Sequence, residues 1–211
     1  ATQVAALQTA DLVKLTTDAV SALSSSAVSA LTTSQIAAMT TAQTVALTTD
    51  QIKQLGTAQV AALTTAQAAA LTTDQVSALS GTQVAKLETA DLTKLSTSTV
   101  AALSSAQTRS LTTDQVTALS TTQAAALSTT SAAALTSAQV AALETADLAK
   151  LSTDAVAALT TAAMRGLDSN QVAAITTAQL AAVTTAQMAS LTTAQVAALT
   201  TAQASKLSTD Q

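Results

Sequence analysis

Cysteine, histidine, proline and every aromatic residue are absent from these 211 residues. Without cysteine there is no disulfide framework and no thiol nucleophile. Without histidine or cysteine the usual ligands of zinc and copper are missing, and a serine or threonine hydroxyl has no imidazole base to activate it. With no aromatic ring there is nothing on which a base could stack. A net charge of −4, from 8 basic and 12 acidic residues, offers phosphate no basic groove. A nucleic-acid partner is therefore excluded. Long apolar runs are missing too. Ser, Thr or Gln interrupts every eight residues, well short of the roughly 18 to 20 apolar residues a membrane span needs, so no membrane insertion is expected. No secretory leader is visible. Both Ala1 and Gln211 fall inside a repeat, which reads as a segment of a longer array.

What is present is one octapeptide, seen in its plainest form as Thr192-Thr193-Ala194-Gln195-Val196-Ala197-Ala198-Leu199. It runs from residue 1 to 211 without insertion or deletion, and the whole chain is expected to be one continuous solenoid domain. With positions numbered 0 to 7 from Thr192, position 7 is Leu in 23 of 26 octads; the exceptions are Met39, Ile175 and Val183. Position 4 is Val, Ile, Leu or Met in 20 of 26, the exceptions being Thr44, Thr108, Ala68, Ala124, Ala132 and Ala204.

A period of eight is incompatible with a long helix. Eight residues at about 100° each leave the apolar pair precessing by about 80° per octad, so no stripe forms. A strand fails as well, because positions 4 and 7 are an odd number apart and would face opposite sides. A very short helix restarted in every octad fits. With the N-cap at position 0, usually Ser or Thr, position 3 becomes N3, and it is Gln in 18 of 27 cases. Ser/Thr-x-x-Gln is a capping box, and Leu at 7 with Val at 4 of the next octad, such as Leu191 and Val196, is a hydrophobic staple.

The charges follow the same frame. Acids stand at 0, 2 and 3, near the start of each helix; all eight bases stand at 5 or 6, near its end. Three octads change together: Gln8, Glu88 and Glu144 replace the hydroxyl at 0, while Asp11, Asp91 and Asp147 replace Gln at 3 and Lys follows at 6. An i,i+3 Asp–Lys pair is expected there, with capping shifted to the Thr at position 1 as an alternative.

A turn and a half of helix is unstable alone and must be held by packing. The expected fold class is therefore all-α: a solenoid of very short helices, one per 8-residue repeat, with Leu and Val toward the axis. Paired antiparallel helices favour two octads per coil, with three as the alternative. At about 8 to 10 Å between stacked helices, the array would be of order 110 Å long with two octads per coil or 75 Å with three. The run 124–134, with Ala124 and Ala132 at position 4, should have a thinner core and faster amide exchange. Gly56, Gly81 and Gly166 read as looser caps or close contacts, and Met39, Met164 and Met188 as core.

No catalytic, cofactor-binding or metal-ligating residues are expected, and the chain is not expected to be an enzyme. Glu88 with Asp91, and Glu144 with Asp147, could attract a cation, but Lys94 and Lys150 favour ion pairing instead. The Thr rows at positions 0 and 1 are explained by repeated capping; an ordered-water or ice-binding face is the functional reading of the same rows.

The units 191–199 (LTTAQVAAL) and 71–76 and 111–116 (LTTDQV) resemble the Thr/Ala/Gln-rich octad arrays of very large bacterial surface or secreted proteins, often labelled heme-utilisation or adhesion proteins. The resemblance covers the whole chain and implies an extracellular or cell-surface setting. It brings no heme site, since neither His nor Tyr is present. The expected role is structural: a stalk or spacer carrying flanking domains of a larger protein, or a fibre-forming scaffold associating end to end or side by side. The alternative is a module binding protein, glycan or ice through a Thr/Ser-rich face.

Overall fold

The computed structural model describes residues 2–211, with side chains from Val4 onward, so the carboxamide expected at Gln3 lies outside the described residues. All regular structure among the described residues is helical. There are 26 helices of four to six residues, from α1 (Thr2–Ala5) to α26 (Thr201–Ala204), one in each octad. From α2 (Thr9–Leu12) onward each begins at position 1, with position 0 extended before it. In α7 (Thr49–Lys53), Thr48 has φ −70 and ψ 159, and its hydroxyl accepts from the Gln51 N–H at 3.2 Å. The Asp-bearing octads start at the same place: Glu88 and Glu144 are N-caps with no side-chain cap bond.

The six-residue helices run to within one residue of the next cap. In α6 (Thr41–Ala46) the C-cap Leu47 returns to extended backbone (φ −61, ψ 129), and the Thr48 cap follows immediately. The corner is thus a short extended step. No described residue has positive φ, which is why three glycines suffice for the whole array.

The chain divides into two compact units, Ala1–Ala102 and Leu103–Gln211. Within each, helices stack on the third helix along. In the first unit α4 (Ser25–Ser29) packs on α7; in the second, α17 (Thr129–Ala134) packs on α20 (Thr153–Ala158), and α20 on α23 (Thr177–Ala182). Three octads, 24 residues, therefore make one coil. The pairing that favoured two octads per coil is not what forms; the alternative of three is. An antiparallel pair needs a reversal, usually through a left-handed C-terminal residue or a multi-residue loop. The extended corner found here turns the chain by only a third of a circuit.

Positions 3, 4 and 7 are mostly buried and positions 0 and 1 mostly exposed. Leu and Val fill the centre, and Met39, Met164 and Met188 lie in the core as expected. Position 4 depends on the octad three further on. Leu180 is 1% exposed, but Val196, with no such octad among these residues, is 50% exposed, so the Leu191–Val196 staple stands partly in solvent. Ala124 and Ala132 are fully buried, so the thin stretch of core is closed by smaller side chains.

Candidate functional site

Position 3 carries the distinctive chemistry. Gln51 lies on the first turn of α7 and is 1% exposed. Its Oε1 accepts from the Thr48 N–H at 2.7 Å, completing the capping box within the octad. Its Nε2 donates outward, to the carbonyls of Val20 at 3.0 Å and Leu23 at 2.7 Å, 31 and 28 residues earlier. Those carbonyls end α3 (Thr17–Ser21), at the corner leading into α4, on which α7 is stacked. One carboxamide thus satisfies an orphan donor at the start of its own helix and orphan acceptors at the end of another.

The arrangement recurs at every position-3 Gln from Gln35 to Gln83 in the first unit. In the second it recurs at Gln139 and from Gln171 to Gln211. The capping half was legible in the sequence; the inter-coil half was missed. The signal for it lies in the same column. A capping box accepts Glu as readily as Gln, yet Glu never stands at position 3, because only the amide has hydrogens for the carbonyls beneath.

Where Gln is replaced, the tie changes. Ser131 keeps part of it, its hydroxyl donating to the Leu103 carbonyl at 3.0 Å. Ala155 and Ala163 are fully buried and have no polar tip. With Asp147 they leave the coil 144–167 without any position-3 amide.

Asp91 and Asp147 are each 2% exposed, whereas Asp11, in the first coil, is exposed. Burial raises both carboxyls above the usual carboxylate range. A hydroxyl from the octad beneath, Thr65 or Thr121, opposes the shift, and the neighbouring Glu88 or Glu144 carboxylate adds to it. The second oxygen of Asp91 is buried with no partner. The expected Asp–Lys pairs are not formed: the ion pair among the described residues is Lys53–Asp50 at 3.1 Å, on the exposed side. Position 3 faces the coil beneath, out of reach of the solvated lysine at 6. No group of three acidic side chains among the described residues is placed to share a metal ion.

The outer surface is regular. Thr48, Thr72 and Ser96 are exposed caps 24 residues apart, so hydroxyls recur coil after coil along one corner. Two open notches lie beside glycines. One of about 420 Å³ is lined by Gly56, Lys53 and Ser80; another of about 370 Å³ by Gly166, Ser137 and Arg165. Gly166 marks a close contact, since a Cβ there would lie 2.6 Å from the Ser137 carbonyl oxygen. At Gly56 the nearest atom would be Gln59 Oε1, at 3.6 Å, so this glycine is simply a cap.

No curated protein matches the chain. The ALTTAQ repeat pattern matches six stretches, residues 4–41, 30–57, 45–81, 84–121, 140–177 and 172–209. The stretch left out between 121 and 140 holds Ala124, Ser131 and Ala132, where positions 3 and 4 depart furthest from the octad. Matched over most of its length and built throughout on the same octad, the chain belongs to the ALTTAQ repeat family.

Proposed function

We propose that the array is a structural spacer of an extracellular or cell-surface protein, holding flanking domains apart. One observation carries this reading: within each unit the same tie and the same n to n+3 packing recur, so every added set of three octads adds a coil and leaves the cross-section unchanged. Its chemistry suits that role, since it combines an aliphatic core with a hydroxyl-rich outside and needs no oxidising compartment to fold. The extracellular setting rests on the resemblance of the octads to bacterial surface arrays. Association of arrays into fibres is a further part of the proposal.

The test is to delete 24 residues, for example 168–191, from the array in its parent protein. A spacer loses reach by one coil, about 8 to 10 Å, and the flanking domains keep their activities. Loss of a binding activity outright would favour the other reading.

That reading, a module binding ice, glycan or protein, is favoured by the exposed hydroxyl columns typified by Thr48, Thr72 and Ser96. Ice recrystallisation in the presence of the purified array distinguishes the ice-binding form: inhibition that disappears when one column is changed to alanine supports it, and unchanged crystal growth refutes it.

A further inference from the structure

We propose that Asp147 is a proton-operated tie: neutral, it donates a hydrogen bond to a carbonyl of the corner beneath and fastens the coil 144–167; ionised, it keeps only the Thr121 hydroxyl and leaves those carbonyls without a donor. Its position defines the geometry. At position 3 every tying glutamine sends its N–H groups to two carbonyls 28 and 31 residues earlier; for Asp147 the equivalent carbonyls belong to Leu119 and Val116. The Asp147 carboxyl is buried and meets the Thr121 hydroxyl at this same corner. Its twin Asp91 meets Thr65 in the same way and has a second oxygen with no partner at all. A carboxylate offers only acceptors to a corner that itself presents carbonyl oxygens; a carboxylic acid has the one hydrogen the corner requires. The other position-3 residues of this coil are Ala155 and Ala163, so no neighbouring tie compensates.

The surroundings leave the proton as the natural partner. The octad beneath, α16 (Thr121–Ala125), contains no charged residue, and neither does the corner from 116 to 119. Above, α22 (Ser169–Ala174) brings only its cap, Asp168. On its own octad stand Glu144, which disfavours a second negative charge, and the exposed Lys150. A hard cation such as calcium would need about six to eight oxygens.

Because burial holds the folded-state value above the unfolded one, the stabilisation is complete below the unfolded value and disappears as pH rises through the folded value.

Amide exchange of the full chain, corrected for intrinsic rates, tests this over segments 116–122 and 144–150 at about pH 4 and pH 7. Protection in the native chain should rise several-fold on acidification. D147Q, which installs the residue used at most other octads, should be protected at both pH values, and D147A weakly protected at both. A native profile parallel to that of D147Q would overturn the proposal. So would restoration of protection at pH 7 by calcium chloride alone, which would make the tie a cation's.

Discussion

At the scale of the residue, the array depends on glutamine side chains used at both ends. Gln179 accepts from the Thr176 N–H at 2.8 Å and donates to Leu148 and Leu151 at 2.9 and 2.7 Å. Gln179→Ala removes all three bonds and leaves buried partners behind, so urea unfolding should show a loss of about 2–4 kcal/mol. Gln179→Glu keeps the cap but turns a carboxylate toward carbonyls; it should be the more damaging change at neutral pH and recover in acid. A hydroxyl in the wrong place predicts the opposite sign. Thr108 is fully buried at position 4, and its Oγ1 has no partner, whereas Thr44 at the equivalent position donates to the Thr40 carbonyl at 3.0 Å. Thr108→Val should raise stability by about 1–2 kcal/mol, measured by the same unfolding experiment, and Thr44→Val should change it less.

At the scale of the element, the helix itself was legible in the sequence because its signals are local. The Thr48 cap, Gln51 at N3 and the extended corner all lie within one octad. What the octad could not reveal was its partner: the Gln51–Leu23 bond spans 28 residues and depends on how far the corner turns. The same gap explains the expected Asp147–Lys150 pair, drawn from helix spacing when the carboxyl in fact faces the coil beneath. Two of the three glycines, Gly56 and Gly166, separate cap from contact. Gly56 is extended (φ −69, ψ 156) with room for a side chain, so Gly56→Thr should be neutral to stabilising by a few tenths of a kcal/mol. Gly166→Ala would drive a methyl into the Ser137 carbonyl and should destabilise by about 1–3 kcal/mol. Thermal unfolding of the two variants, run side by side, checks the contrast.

At the scale of the whole molecule, each unit is a one-dimensional stack, and stability is expected as a sum of coil and neighbour terms. Damage should accordingly stay local. Leu127, 4% exposed, sits beside the stretch where Ala124 and Ala132 thin the core. Leu127→Asp buries a charge with no counter-ion. Amide exchange should then accelerate around 120–135 while the octads near Ile52 keep their native protection; uniform acceleration would mean that the stack unfolds as one. The period of eight was plain in the sequence, but the period of 24 was not. Substitutions follow no three-octad alternation, because all three sides of a coil meet the same aliphatic interior.

The stacking rule itself is tested most directly by nuclear Overhauser contacts from the carboxamide hydrogens of Gln179, labelled alone in the full chain. Three octads per coil predicts contacts with Leu148 and Leu151, 31 and 28 residues back. Contacts with Val156 and Leu159 instead, one octad nearer, would mean two octads per coil and would contradict the account.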